Sequence, residues 1–506
     1  MTEERLVFDF TDEEMFEKTC LNSFLYKYYS TAIEKEIIYT ENNKVKIIYE
    51  NEKGKLFSCY YKLCRFKSIV NLIEEEQDIK INGCFIEEFD ISKLENYYRF
   101  KIRNIDARFS YWKGDVVFRN IKFMGEETSF DFAKFSGGKL DFGNAIFEES
   151  DVSFAGAEIK NEKVDFSLTT FRKGILSFHK VNFNTRTLDF NETLFSCEYV
   201  DFWGTKFINS EVEFEYSVFE NCNVDINEAL FDSCRLEFIG IELTGKRLNF
   251  YSTIFKNTIT SFVSIIFNDT ILSLLDSYAE KLIIDSCILR THLLLKYKNI
   301  GEIDILRCTI EKVVKINGEP NFFSFADTVN LGQVHFSDEP SVIVKAIENS
   351  FKKDEKLTSK QKLDQLTLIK ENYHALGEYD GEDLAYQTYM KYKTKFMKLG
   401  ITKFFYKLFG EIGSYGTKPG NIIMWMFISW LSFAGVFFAL LKDQISPALD
   451  RLSHALYFSG ITFLTIGYGD INPLGDAARF LAVAEGFIGL FLMSYLTVAV
   501  VRKLLR

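Results

Sequence analysis

The stretch Thr465-Ile466-Gly467-Tyr468-Gly469-Asp470 has the residue types and spacing to do chemistry with backbone oxygen. A chain can take the water from a bare alkali cation only by offering oxygens at matching intervals. Successive carbonyls do this when they all point to one axis, which needs backbone angles that glycine tolerates and bulky residues do not. Gly467 and Gly469 stand at alternate positions, as such a ladder requires. The Thr465 hydroxyl adds an oxygen at one end, Ile466 contributes its carbonyl, and Tyr468 can brace the loop from behind. Asp470 puts a carboxylate at the outer mouth. Gly-Tyr-Gly alone also occurs in ordinary turns, so the flanking elements decide between a turn and a ligand ladder.

A ladder of this kind has to follow a short helix and lie between two membrane-crossing segments. Gly420 to Leu441 is a 22-residue run without a charge. At about 1.5 Å per residue it covers a hydrocarbon layer of about 30 Å. Residues 477–501 form a second run with Arg479 near its start and a carboxylate, Glu485, farther in. Residues 450–464 are apolar and too short to span. They suit a helix that dips in and stops, its C-terminal dipole end favouring a cation. Irregular backbone at membrane depth survives only beside water or buried in protein.

The stretch resembles the selectivity filter of tetrameric potassium channels with two membrane helices per chain, with Ile466 where valine is more usual. The resemblance implies K⁺ as permeating ion, held by the carbonyls of residues 465–469, with no other metal and no cofactor. It implies a homotetramer, because one filter strand cannot enclose an ion. It also implies a hinge glycine in the second membrane helix. Gly489, twenty residues past Gly469, is the candidate, with Gly486 beside it; a close helix–helix contact is the alternative. Asn472 stands where an aromatic ring favours external tetraethylammonium in the family, so weak external block is expected. Glu485 is a buried membrane carboxylate and hence a functional candidate. A hydrogen bond to the back of the pore helix is its preferred reading, ahead of a place on the ion path.

Lys403, Lys407 and Lys418 precede the first membrane helix, and Arg502, Lys503 and Arg506 follow the second. The intervening loop has only Lys442 and Arg451. This bias predicts a multi-pass protein of the plasma membrane with both termini cytoplasmic. Met1-Thr2-Glu3-Glu4-Arg5 is polar and does not read as a signal peptide. Any large sensor is expected on the N-terminal side of the pore. No Arg-rich membrane helix precedes the pore, which argues against voltage sensing.

Upstream the chain is periodic. From Phe118 to Phe262 a phenylalanine recurs every twelve residues, Ile226 filling one gap. A second series follows five residues later, from Phe123 to Phe267, with Ile159 and Leu243 as substitutes. Val or Leu stands two before the first Phe, and a small residue such as Ala145, Thr169 or Ser217 two before the second. That is in–out–in alternation in short strands, and a fixed period of this length means a solenoid. The segment resembles the pentapeptide-repeat family, which implies a right-handed, four-sided β-helix. Here the spacing alternates five and seven, so two sides should be longer, with 24 residues per coil. Asp141, Asp165, Asp189, Glu213 and Glu237 would then stack in one outward column. The plain reading is a solvated face whose carboxylates cap turn amides; the sharper one is a stripe that binds a cation or a partner.

The expected fold is therefore multidomain: a small cap over 1–100, a pentapeptide-repeat-like β-helix over 101–340, a helical linker over 341–415 and an all-α two-helix potassium channel pore over 416–506. Thr11-Asp12-Glu13-Glu14 reads as a helix start, and Asn51-Glu52-Lys53-Gly54 as a hairpin turn between Val45–Tyr49 and Leu56–Tyr61. In the linker, Leu363, Leu366, Ile369, Tyr373 and Leu376 share one face of an αα-hairpin, and residues 401–409 read as an interfacial helix. Lys391, Lys393, Lys395 and Lys398 gather near the membrane, where anionic lipid or plain solvent could face them. With 506 residues and 26% charged side chains the chain is globular throughout. Its net charge of −11 argues against a nucleic-acid partner. The five histidines are scattered, and the nine cysteines are read as reduced packing residues. No phosphate loop, triad or paired acid/base site appears, so no enzyme is expected. The expected function is a K⁺-selective channel gated by its cytoplasmic β-helix, through a regulatory ligand or protein of unstated kind. The alternatives are a non-selective cation channel and a membrane-anchored scaffold.

Overall fold

The computed structural model describes residues 7–10, 32–41, 43–51, 53–244, 247–268, 271–440, 448–471 and 475–505. The expected helix start at Thr11–Glu14, and also Glu52, Leu441, Lys442 and Asn472, lie outside these residues. The chain forms two compact units, 1–355 and 356–506.

The first unit opens with a cap. β2 (Ile33–Tyr39), β3 (Lys44–Glu50) and β4 (Leu56–Leu63) form an antiparallel meander, and β1 (Val7–Asp9) pairs in parallel with β4. Val45, Ile47 and Tyr49 alternate inward along β3, the period of a one-sided strand. The β3–β4 turn is closed by the Asn51 side-chain oxygen, which accepts from the amides of Lys53 (3.0 Å) and Lys55 (2.9 Å). The cap core of Phe8, Phe57 and Tyr61 runs on into Phe85, Phe109 and Tyr111 of the first coils, so the cap plugs the open end of the solenoid. Beneath it lies a buried charge pair. Lys134 Nζ is 2.8 Å from Glu158 and 4.6 Å above the Tyr49 ring, and Lys160 reaches the same carboxylate at 2.5 Å.

One cysteine expectation is corrected. Cys64 and Cys84 are joined by a disulfide, their Cα atoms 5.8 Å apart, just past the end of β4 where it pairs in parallel with Cys84–Ile86. The other cysteines of the described residues are buried and free, as packing residues should be.

The solenoid pairing starts at Ile79–Lys80, well before residue 101, and ends at Gln333–Phe336. One face is an eleven-stranded parallel sheet with one strand per coil, which makes a stack of about 50 Å at about 4.8 Å per strand. Phe123 pairs with Phe147, then Phe171, Phe195 and Phe219, the expected 24-residue coil. Beyond Phe267 the partners are Leu289, Ile310 and Asn330, so the coils shorten. Phenylalanines one coil apart lie nearly parallel: Phe142 and Phe166 have centroids 5.2 Å apart at 1°. Those on adjacent sides meet edge to face, as Phe142 and Phe154 do at 85°, so the quadrupoles favour both contacts. The small residues of the pattern also have a polar task. The buried Thr169 and Thr193 hydroxyls donate to the carbonyls of Phe142 (2.8 Å) and Phe166 (2.7 Å) in the coil before. α1 (Phe66–Glu74) follows β4, and α2 (Pro340–Lys353) closes the far end, with Lys353 Nζ 2.6 Å from Glu302.

The second unit is all helical. α3 (Ser359–Leu376) begins with a capping box of Thr358 and Gln361, stops at the left-handed Gly377, and turns back as α4 (Tyr379–Phe396). Gly381 lets α4 approach the Tyr373 ring, where a Cβ would come within 2.8 Å. α5 (Ile401–Gly413) leads to α6 (Pro419–Leu440), the short α7 (Ala448–Phe463) and α8 (Asp476–Leu504). α6 and α8 are long and apolar enough to cross a membrane, and α7 is not.

Candidate functional site

α7 delivers the chain into the Thr465–Asp470 loop. Thr465 (φ 55°), Gly467 (59°) and Gly469 (78°) are all left-handed, alternating with residues that are not. Such alternation turns successive carbonyls toward the same side, because each left-handed residue reverses the usual alternation of an extended chain. The loop springs directly from the helix end: the Ile466 amide donates to the Ile461 carbonyl at 2.8 Å, and the Thr465 amide to that of Thr462 at 3.0 Å. Residues 464–470 are exposed along their length in the single chain, the Tyr468 ring among them. At Gly467 and Gly469 an added Cβ would meet nothing within 4 Å, so backbone angle and not space calls for glycine there. Asp470 is tied back to α7, accepting from the Tyr457 hydroxyl at 2.8 Å.

α7 is held from two sides. On the α6 side, the Trp430 indole N–H donates to the Leu456 carbonyl at 3.2 Å, and the Ser459 hydroxyl lies 3.0 Å from the Trp430 carbonyl. On the α8 side, the same hydroxyl bonds to Glu485, which is fully buried. Glu485 therefore sits against α7. Its second oxygen has no hydrogen-bond partner among the described residues. Gly489 packs on the last turn of α7: a Cβ there would lie 2.0 Å from the Phe463 carbonyl oxygen. At Gly486 the nearest atom would be at 3.8 Å. α8 runs as one helix through both glycines.

Near its end, α8 is bound to the helical hairpin. The Arg502 guanidinium stacks 4.1 Å from the Tyr386 ring centre, 3.3 Å from the Asp383 carboxylate and 3.4 Å from the Tyr415 carbonyl. One turn and more upstream, the Tyr495 hydroxyl donates to the Phe409 carbonyl at 2.8 Å. Sequence reasoning assigned no part to Ser459, Tyr457, Asp383 or Arg502 beyond Arg502's charge. Their partners lie 13 to 119 residues away, and no local pattern marks such pairs.

In the first unit, strand register brings Asp141, Asp165, Asp189, Glu213 and Glu237 into one row. Asp141 and Asp165 accept from the amides of Gly143 and Ser167 at 2.9 Å, and Arg119 bridges the two carboxylates at 3.0 and 2.7 Å. Burial pushes the Asp165 carboxyl up, but the Ser167 and Lys163 hydrogen bonds outweigh it and hold the group below its ordinary value. Glu213, farther along the row, is raised by burial and then by its acidic neighbours. No group of three or more His, Cys, Asp or Glu placed to hold a metal occurs among the described residues.

Comparison with known proteins bears on the second unit. The ion channel family model matches residues 425–506. Protein LctB of Bacillus caldotenax is 34% identical over 82 residues, covering 13% of this chain and 60% of that protein. Two-pore potassium channel 1 of Arabidopsis thaliana is 38% identical over 77 residues, covering 15% and 21%. Intermediate conductance calcium-activated potassium channel protein 4 of Rattus norvegicus is 33% identical over 89 residues, covering 17% and 21%. The chain thus spans less than two thirds of each of these relatives. No solved structure matches it.

Proposed function

We propose that this chain, with an ion-channel domain behind a β-solenoid, is the subunit of a homotetrameric K⁺-selective channel of the plasma membrane. The left-handed alternation at Thr465, Gly467 and Gly469, at the end of a helix too short to span, carries the reading. Four such strands around one axis supply rings of carbonyl oxygens that replace the hydration shell of the ion. The exposure of residues 464–470 in the single chain accords with a surface that other copies complete. Tyr468 then braces the filter against a neighbouring chain and not its own. Both termini lie in the cytoplasm by the positive-inside bias. The relatives named as potassium channels support K⁺ over a non-selective pore.

The β-solenoid regulates the pore, and the hairpin α3–α4 is the transmitting part, since Arg502 ties it to the end of the pore-lining helix. The acidic row of the solenoid is a possible partner surface only where its carboxylates are left over from capping and ion pairing, toward Glu213. The test of the whole reading is the reversal potential of the purified protein in planar bilayers under opposed K⁺ and Na⁺ gradients. A reversal near the K⁺ equilibrium potential is expected. Equal permeability would replace the K⁺ reading by a non-selective pore, and silence from correctly assembled protein would favour the anchored scaffold.

A further inference from the structure

α5 carries Ile401, Phe404, Phe405 and Leu408 at i, i+3, i+4 and i+7, one apolar stripe of a helix. The C-terminal half of that stripe is covered: Leu408, Phe409 and Ile412 pack with Phe463, Leu492 and Tyr495. The N-terminal half is not. Ile401 is 78% exposed, Phe404 62% and Phe405 45%, and Leu399 just before them 97%. The helix is fixed at the level where the membrane helices end. The Tyr495 hydroxyl holds the Phe409 carbonyl, and Gly413 is so close to α6 that a Cβ would lie 2.7 Å from Ile422. α6 also carries exposed apolar side chains near its start, at Ile423 and Phe427.

Lysines lie on α5 and at either side of it in the chain. Lys398, Lys407 and Lys418 are exposed, and among the described residues none has a carboxylate within ion-pair distance. Lys403 is used otherwise, its ammonium donating to the Met397 carbonyl at 2.8 Å beyond the end of α4. Glu411 is the one acid on α5. Large exposed apolar groups next to the membrane-length helices, with exposed and unmatched lysines on the same segment, fit a surface that is apolar inside and anionic outside. We propose that the N-terminal half of α5 docks on the bilayer surface, with Ile401, Phe404 and Phe405 in the acyl boundary and Lys398, Lys407 and Lys418 on anionic lipid headgroups. Through the Phe409–Tyr495 contact, anionic lipid then bears on the position of α8. The docking stands on the exposed face alone; its effect on conduction rests on the channel reading above.

Native mass spectrometry of the purified full-length protein, titrated with phosphatidylglycerol and with phosphatidylcholine, tests the docking without any need for current. Wild type should prefer phosphatidylglycerol. The K398Q/K407Q/K418Q variant should lose about a hundredfold of that affinity, each lysine being worth about fivefold near an anionic surface. F404S/F405S, which keeps the lysines, should weaken binding of both lipids. Unchanged phosphatidylglycerol affinity in the lysine variant would overturn the proposal. So would competition by inorganic phosphate at equal concentration, or cross-linking of F404C to a second copy in place of lipid protection. Rb⁺ flux from vesicles with and without phosphatidylglycerol then reads the consequence: the lipid changes wild-type flux and leaves the lysine variant unaffected. Flux absent throughout, with the lipid preference intact, would count against the channel reading and not against the docking.

Discussion

Thr465, Gly467 and Gly469 share one backbone conformation, yet only two of them are glycine. A left-handed residue with a Cβ costs about 1–2 kcal/mol, and four copies in a tetramer multiply the effect. Gly467→Ala meets no atom with its new methyl, so the loss is one of backbone angle. The expected outcome is a chain that folds and assembles but no longer discriminates K⁺ from Na⁺, read as a reversal potential moved toward zero. An unmoved reversal would show that the Gly467 conformation is not part of the ion path. The two α8 glycines give a sharper contrast. Gly489→Ala drives a methyl into the Phe463 carbonyl and has to displace α7, whereas Gly486→Ala has room. G489A should lower the thermal midpoint of the assembled protein and G486A should leave it nearly unchanged; equal effects would favour a hinge role over a contact role. The alternating glycines were legible in the sequence because backbone angle restricts residue type. The Thr465 conformation was not, since threonine does not signal it, and neither was Ser459 as the partner of Glu485, because only the packing of α7 between α6 and α8 brings them together.

Among the elements, the solenoid was legible wherever its core is aromatic. Phe166 stacks on Phe142 and Phe190, at 5.2 Å to each, and is fully buried. Phe166→Ala should cost about 3–5 kcal/mol, seen as a lower denaturant midpoint of the β signal with the helical unit unaffected. The corners were not legible. A left-handed residue recurs every twelve positions at Asn120, Phe132, Asn144, Gly156, Leu168, Lys180 and Glu192, two after the Phe of each unit. The turn is imposed by the coil-to-coil hydrogen bonds, such as Leu168 N–H to the Asn191 carbonyl at 2.9 Å, so residue type is nearly free there. Past Phe267 the coils shorten and the core changes to Ile and Leu, which blurs the period. Where the cap meets these coils, acid should cost stability. Burial would raise the Glu158 carboxyl, but the ammonium groups of Lys134 and Lys160 outweigh it and hold the group below its ordinary 4.5. A folded value below the unfolded one means the contribution is complete above about pH 4.5 and lost as pH falls through the folded value. The thermal midpoint of wild type should therefore drop on acidification below that range. In E158Q it should already be lower at neutral pH, because the buried Lys134 loses the Glu158 charge, and it should depend less on acid.

At the scale of the whole molecule, everything the proposed pore needs lies in one unit. The Thr465–Asp470 loop, the supports of α7 and the Arg502 contacts all fall within 356–506, and the capping box that starts α3 falls just inside the boundary, at Thr358 and Gln361. A chain beginning at Lys356 should therefore assemble and conduct with the reversal potential of the full protein, since no filter residue has lost a partner. What should change is how often the pore is open. If the solenoid regulates the pore through the hairpin, its removal leaves α3–α4 without an input, and the open probability departs from that of the full chain. R502Q is the companion variant. It breaks the Asp383 and Tyr386 contacts at the end of α8, far in sequence from the filter, and should alter open probability while leaving selectivity intact. In R502Q, deleting residues 1–355 should then have little further effect, because the path from hairpin to pore-lining helix is already cut. Single-channel recording of the four combinations decides the matter. Additive effects of truncation and R502Q would mean that the solenoid acts on the pore by a route other than Arg502. No effect of truncation at all would make the solenoid a binding module that the channel merely carries.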